Sequence, residues 1–162
     1  MTAPGSRPGA VLGVDLGTRR IGLARSDRSR TLASPWQVLP RQGDAEGDGE
    51  GDARAIVSAA REAEVNVVVV GLPLSLDGSR GPAAQRALDE VATLRRMLEP
   101  EGITVETVDE RFTTTSAHAA LAEAGRRGRE RRAVVDAAAA AVLLQAWLDA
   151  TRRPVGPGSA RA

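Results

Sequence analysis

Acidic residues stand at three places where an unpaired charge would be costly. Asp15 lies inside the apolar segment VLGVDL, Asp109 and Glu110 end the segment TVETVDE, and Asp136 precedes the alanine run of VVDAAAAAVLLQAWL. Burying an ionised carboxylate without a partner is strongly unfavourable. Each of these acids therefore needs a cation, a set of hydrogen-bond donors or a metal ion.

Carboxylates from these three places, gathered at one site, would form an all-oxygen ligand set. Two carboxylates about 4 Å apart repel by about 4 kcal/mol at an effective dielectric of about 20, and a hard cation such as Mg²⁺ or Mn²⁺ relieves that repulsion. One or two such ions support in-line displacement at a phosphodiester. Three nearby glycines favour this interpretation, because they leave room near Asp15 for a backbone, a phosphate or a metal. They are Gly13, Gly17 and Gly22.

Each acid also has an ordinary structural interpretation. Asp15 would cap a turn or pair with an arginine, an acid next to Arg111 would form a strand-end ion pair, and Asp136 would be a charge favoured by the helix dipole. Asp109 and Glu110 are adjacent, so on a strand they face opposite sides and only one of them can share a site with Asp15. The pattern alone does not choose between them.

The composition removes several other kinds of chemistry. The 162 residues include no cysteine, which excludes disulfides, thiolate catalysis and cysteine-ligated zinc. The single histidine, His118, leaves no histidine-rich site, and we expect it to be an exposed polar residue on a helix. No apolar run approaches the roughly 20 residues of a membrane-spanning helix, and residues 1–9 lack the apolar stretch of a signal peptide. We therefore expect a cytoplasmic protein.

The chain contains 22 arginines and no lysine. The net charge is +1, yet five arginines fall within residues 19–30, five within an expected loop at 126–132, and five acids within residues 44–52. Separated basic clusters are compatible with a phosphate-backbone partner, since guanidinium groups hold phosphates bidentately. The alternative is that they are solvated surface charges. The candidates for phosphate contacts are Arg19, Arg20, Arg111, Arg127, Arg129 and Arg131.

Hydrophobic periodicity predicts the elements that must position these residues. Three strands joined by short turns are expected at 11–16, 20–25 and 31–39, the last with a bulge or an edge position because of Pro35. The run VNVVVV is apolar at nearly every position, as in a parallel strand covered on both faces. Further strands are expected over 65–70 and 103–108, and helices from Asp52 as N-cap and over 82–98, 114–124 and 133–150.

This order predicts an α/β protein with a mixed five-stranded sheet, three antiparallel strands followed by two parallel strands, flanked by helices. A chain of this length forms one domain, expected over residues 10–151. We expect residues 1–9 to be flexible, the glycine- and acid-rich segment 41–52 to be a mobile loop, and residues 152–162 to be a disordered tail.

Four segments resemble, in order, the motifs of the YqgF (RuvX) family over about Val11 to Ala150: GVDLGTRRIGLARSD, VVVVGLPLSLDGSRGP, VDERFTT and VVDAAAAAVLLQAWL. That family comprises small bacterial proteins of the RNase H-like superfamily, described as Holliday junction resolvases and linked to maturation of the 5′ end of the small-subunit rRNA precursor. The resemblance implies an RNase H-like fold and a metal-dependent nuclease that acts on pre-16S rRNA, on branched DNA, or on both.

The same resemblance implies which residues act. It identifies Asp15, Glu110 and Asp136 as catalytic residues that hold one or two Mg²⁺ or Mn²⁺ ions, and it thereby selects Glu110 over Asp109. The GLP loop of the family corresponds to Gly71, Leu72 and Pro73, followed by Asp77 and Gly78.

Two other classes of function stay open. The segment DLGT after a strand also resembles the first phosphate loop of actin-like and sugar-kinase folds, but those folds close two domains over ATP and this chain forms one. A non-catalytic nucleic-acid-binding ribosome-assembly factor, with structural acids, is the second alternative. No base-reading module is recognisable. We expect a monomer or a weak homodimer, since symmetric cleavage of a junction requires a dimer.

Overall fold

A computed structural model describes residues 9–42, 50–73, 81–109 and 128–151, with the backbone alone for residues 128–134. The predicted helix over 114–124, the predicted tail, and most of the predicted flexible N-terminus and acidic loop lie outside the described residues. The described elements are β1 (Val11–Leu16), β2 (Arg20–Ser26), β3 (Ala33–Pro40), α1 (Gly51–Glu62), β4 (Val67–Leu72), α2 (Pro82–Leu98), β5 (Thr104–Asp109) and α3 (Gly128–Thr151).

The five strands form one mixed sheet in the order β3-β2-β1-β4-β5. β1 pairs antiparallel with β2 and parallel with β4, which pairs parallel with β5. β3 is an edge strand, and its register with β2 shifts at Trp36, since Leu23 pairs with Gln37 and Ala24 with Pro35. The predicted fold class and the predicted edge and bulge near Pro35 are confirmed.

Helices cover both faces of this sheet. One face buries Leu12, Val14 and Val68 in a core with α1 and α2. The opposite face buries Val11 and Val69 in a core with α3. Alternate residues of the central strands therefore enter different cores, which explains why the valine run of β4 is apolar without alternation.

Two glycines allow α3 to lie directly on the sheet. A Cβ built at Gly22 would come 2.0 Å from the carbonyl oxygen of Asp136, and one at Gly13 would come 2.8 Å from Cβ of Leu144. No side chain fits at either distance without a shift of α3. The backbone of α3 thus fills the space that these glycines leave, and it fixes the position of Asp136 above β2.

The structure moves several predicted element boundaries: β3 begins at residue 33 rather than 31, β4 begins at 67 rather than 65, and three further differences have a clear cause. α1 begins at Gly51 after Glu50 at the N-cap, because the carboxylate of Asp52 bonds back to residues 41 and 42 instead of capping the helix. α3 begins at Gly128, so residues 128–132 are helical and not a loop; arginine and glutamate favour helix even where no apolar stripe marks it. β4 runs to Leu72 rather than ending at 70, because its last two residues pair with the end of β5. Among the described residues, no helix is long and apolar enough to cross a membrane.

Candidate active site

Asp15 lies near the carboxyl end of β1, on the face that α3 covers. It shares that face with Val11 and Gly13 by strand alternation, and Val11 is buried in the core with α3. The register places Asp15 opposite Gly22 of β2. Asp15 is half-buried at the edge of the α3 interface, so its carboxylate stands at the border between core and solvent.

Asp136 reaches the same place from α3. Its backbone carbonyl lies over Gly22, and Gly22 is the cross-strand neighbour of Asp15. Paired residues of antiparallel strands have Cα atoms about 4.5 to 5.5 Å apart. The fold therefore brings two of the three predicted acids, 121 positions apart in the sequence, to adjacent positions on one face.

Arg20 is the third charged residue of this cluster. It lies on β2, two residues before Gly22 and on the same face, and its Nε donates a hydrogen bond to Oδ2 of Asp136 at 2.5 Å. The exposed fractions of the two side chains are 32% and 24%. Because both groups carry a charge, this hydrogen bond is charge-assisted, and it is also an ion pair. Arg20, proposed from the sequence as a phosphate contact, here neutralises a predicted metal ligand.

Asp109, which the sequence offered as the alternative to Glu110, lies on the opposite face of the sheet from this cluster. Val108 packs against the core with α3, so strand alternation directs Asp109 toward α1 and α2. Among the described residues, no group of three or more acidic, histidine or cysteine side chains lies together as a metal site. The predicted residues Glu110, Arg111, His118 and Arg127 lie outside the described residues.

Two further predicted arginines lie in the first turns of α3. Arg129 and Arg131 precede Asp136 by seven and five residues, which is about 8 to 10 Å along the helix axis. Their side chains are outside the described atoms. Arg19 is exposed in the turn between β1 and β2, next to Arg20.

The GLP segment, residues 71–73, lies at the same edge of the sheet as Asp15. Gly71 and Leu72 end β4, which pairs in parallel with β1. The carboxyl ends of parallel neighbours meet at one edge, the usual place for ligands in sheets of this kind. Asp77 and Gly78, which follow this segment, lie outside the described residues.

Sequence reasoning missed Arg41, which supports the turn between Asp15 and Arg20. Its Nε donates to the carbonyl oxygen of Gly17 at 2.8 Å, and its backbone N–H donates to that of Arg19 at 3.0 Å. The amide of Gly17 in turn donates to the carbonyl oxygen of Asp15 at 3.1 Å. Arg41 thus fixes the backbone that separates Asp15 from Arg20.

The remaining contacts of Arg41 are carboxylates of two helices. One terminal nitrogen donates to Oδ2 of Asp52 in α1 at 3.0 Å and to Oε2 of Glu90 in α2 at 2.9 Å. Partial burial acts to lower the pKa of Arg41, but its bonds to these two carboxylates outweigh that effect and raise the pKa above its usual value. Its position at the start of an acidic, glycine-rich segment gave no periodic signal that could have identified this role.

Comparisons with known proteins identify a matching family and several relatives. The family model RuvX, described as Holliday junction resolvase, matches residues 9–150. A protein of Kineococcus radiotolerans is 48% identical over 152 residues (94% of this chain, 78% of that protein), and one of Rhodococcus opacus is 43% identical over 150 residues (93% and 83%). Both are named "Putative pre-16S rRNA nuclease".

A solved structure shows the same fold. RuvC of T. thermophilus, in complex with a Holliday junction substrate, matches with a TM-score of 0.57 and 15% sequence identity, covering 88% of this chain and 96% of that chain. At such low identity the likeness supports the architecture alone, and it confirms the RNase H-like fold that the sequence predicted.

Proposed function

Because the chain belongs to the RuvX family and is a nuclease, we propose that it hydrolyses phosphodiester bonds at the sheet edge where Asp15 and Asp136 lie. The observation that carries this assignment is their convergence: the register partner of Asp15 is the glycine on which the backbone of Asp136 rests. Two carboxylates at adjacent positions of one face can bind a common divalent cation.

The residues at this edge fit a hard divalent cation. Asp15 and Asp136 offer only oxygen atoms, which suit Mg²⁺ or Mn²⁺, and the arginine already bound to Asp136 shows that the carboxylate attracts a counter-ion there. We propose Glu110 as the third ligand, since Asp109 lies on the opposite face. One or two such ions would supply a nucleophilic hydroxide and offset charge on the scissile phosphate.

The residues of the chain supply position and charge around that chemistry. Asp15 stands on a central strand held by neighbours on both sides, and Arg41 fixes the turn after it. Asp136 is held against β2 by the close approach of α3. We propose that Arg19, Arg111, Arg127, Arg129 and Arg131 contact phosphates that flank the cleaved one, as the exposed turn and the start of α3 border the acids.

We propose the precursor of 16S rRNA, at its 5′ end, as the substrate, and the cytoplasm as the place of action. The names of the relatives, 43–48% identical to this chain, support the RNA. The description of the matching family supports a second candidate, the Holliday junction. Junction cleavage at two symmetric points would need two copies of the chain, whereas trimming of one RNA end needs one.

A cleavage panel with Asp15→Asn tests this proposal. Labelled precursor rRNA, a Holliday junction and a plain duplex are incubated with the protein and Mg²⁺ or Mn²⁺. We expect cleavage of the precursor rRNA, and a loss of roughly 10³-fold in Asp15→Asn, equivalent to about 4 kcal/mol of transition-state stabilisation.

Asp149→Asn is the matched control. It makes the same change in an exposed acid at the far end of α3, where the new amide still accepts the hydrogen bond from Gln145. We expect the activity of this variant to equal that of the parent. Wild-type activity in Asp15→Asn would refute the assignment of the site, and RNA binding without cleavage by the parent would favour a non-catalytic assembly factor.

A further inference from the structure

The bond between Arg20 and Asp136 occupies an oxygen that the proposed nuclease needs. Nε of Arg20 lies 2.5 Å from Oδ2 of Asp136. A divalent cation bound by that carboxylate would lie beside a full positive charge. Two cations this close repel by several kcal/mol at a surface-like dielectric of about 20, so the two arrangements compete.

The surroundings of Arg20 allow it to leave. About a third of its side chain is exposed, and it stands at the first position of β2, directly after the turn. Its described ion pair links it to Asp136 alone. An ion pair at this degree of exposure is worth about 1 kcal/mol or less, which a divalent cation with two or three carboxylate ligands exceeds.

We propose that Arg20 is a displaceable counter-ion. Without a bound metal ion, Arg20 neutralises Asp136. When a divalent cation binds Asp136, Arg20 releases the carboxylate, and its guanidinium is then free to bind a substrate phosphate. This inference rests on the proposed function, because it requires Asp136 to be a metal ligand. It reconciles the ion pair with the predicted phosphate contact of Arg20: the same side chain serves each partner at a different stage.

Arg41 provides an internal reference for this proposal. Its Nε is also bonded within the fold, to the carbonyl oxygen of Gly17, but its carboxylate partners are Asp52 and Glu90, on the other side of the turn. A cation at Asp15 and Asp136 leaves those bonds intact. Metal binding should therefore change the environment of Nε–H in Arg20 and not in Arg41.

The test is a titration of ¹⁵N-labelled protein with Mg²⁺, followed through the Nε–Hε signals of its arginines by NMR. The signals of Arg20 and Arg41 are assigned from their absence in Arg20→Lys and Arg41→Lys. We expect the Arg20 signal to shift and lose protection from solvent exchange as Mg²⁺ saturates, with an unchanged Arg41 signal. An Arg20 signal that stays unchanged at saturating Mg²⁺ would overturn the proposal.

Metal affinity gives a second readout, which does not depend on nuclease activity. Mn²⁺ binding, measured by electron paramagnetic resonance, should be about two- to fivefold tighter in Arg20→Gln, since the cost of breaking an ion pair worth up to about 1 kcal/mol disappears. Arg61→Gln removes an exposed ion pair with Glu101 and should leave the affinity unchanged. Weaker or unchanged binding in Arg20→Gln would show that Arg20 does not compete with the metal.

Asp136→Asn separates this inference from the proposed function beneath it. If Mn²⁺ binding does not weaken in Asp136→Asn, the proposed metal site is wrong and the counter-ion proposal fails with it. If binding weakens in Asp136→Asn but the Arg20 signal does not respond to Mg²⁺, the metal site stands and the counter-ion proposal alone is wrong. Thermal unfolding of each variant confirms that the comparison is made on folded protein.

Discussion

Two arginines flank the turn between β1 and β2, and each binds carboxylates on a different side of the sheet. Arg41 joins the turn to α1 and α2 through Gly17, Asp52 and Glu90. Arg20 joins β2 to α3 through one carboxylate, that of Asp136. Arg41, with partners in the turn and in two helices, holds these parts of the fold together. Arg20, bound to a single candidate metal ligand, can exchange that partner for another.

The same difference distinguishes the two layers of helices. α1 and α2 meet the sheet through buried apolar side chains, among them Ile56 and Leu94, and α3 does the same through Leu143, Leu144 and Trp147. α3 lies so close that two sheet positions must be glycine. Close contact of α3 with the sheet sets the position of Asp136 relative to Asp15, so we assign the chemistry to the α3 side, whereas Arg41, on the side of α1 and α2, has a structural role alone.

The largest effect on stability is expected from Gly22→Ala, which removes the close approach of α3. The new Cβ would overlap the carbonyl oxygen of Asp136, and overpacking against backbone costs about 3 kcal/mol. Gly81→Ala is the matched control, because nothing lies within 4 Å of its Cβ and a change at a helix N-cap costs about 1 kcal/mol. Equal unfolding free energies of the two variants in urea would show that α3 does not depend on this contact.

The next effect compares the two arginines directly. Arg41→Gln should lower the free energy of unfolding by about 2 kcal/mol, since it leaves two partly buried carboxylates without their shared donor. Arg20→Gln should cost less than about 1 kcal/mol, because its ion pair is more exposed. Urea unfolding of both variants decides the matter. A larger loss in Arg20→Gln than in Arg41→Gln would reverse the roles assigned to the two arginines.

The smallest effect is expected from shortening the acidic segment between Gln42 and Glu50. The two ends are already held together, as the amide of Gln42 donates to Oδ1 of Asp52 at 2.8 Å. Replacing residues 43–49 by a short Gly-Ser linker lowers the free-energy cost of loop closure by about 0.6 kcal/mol for each halving of loop length. The melting temperature should therefore move by no more than about 3 °C. A drop of ten degrees would show that this segment packs against the domain.

Much of the architecture could be predicted because it follows from local pattern. The bounds of α2 followed from its hydrophobic stripe, from Pro82 at its first position and from the stop signal at residues 99–102, and the sheet followed from the order of strands and helices. The start of α3 was missed because its first residues, Gly128–Arg132, carry charge without apolar spacing. Asp52 was mistaken for a cap because its partner, Arg41, lies across a loop that local reasoning treats as unstructured.

The candidate site was predictable in its residue types but not in its pairings. Asp15 and Asp136 could be identified because a charged side chain in an apolar segment is unfavourable unless it has a partner. The bond from Arg20 to Asp136 spans 116 positions, and it follows only once α3 is known to cross β2 at Gly22. The alternation of β5 then showed which of two adjacent acids shares no face with Asp15. The roles of Glu110 and of the remaining arginines stay predictions.

The most direct test of the central claim is single-turnover cleavage of 5′-labelled precursor 16S rRNA by Asp136→Asn beside the parent protein, with Mg²⁺ and equal RNA binding verified for both. The carboxylate on α3 is here assigned to the chemistry, so we expect a rate reduced by roughly 10²- to 10³-fold, or about 3 to 4 kcal/mol, with the melting temperature within a few degrees of the parent. A rate within a few-fold of the parent would contradict the account, because Asp136 would then be only a structural partner of Arg20.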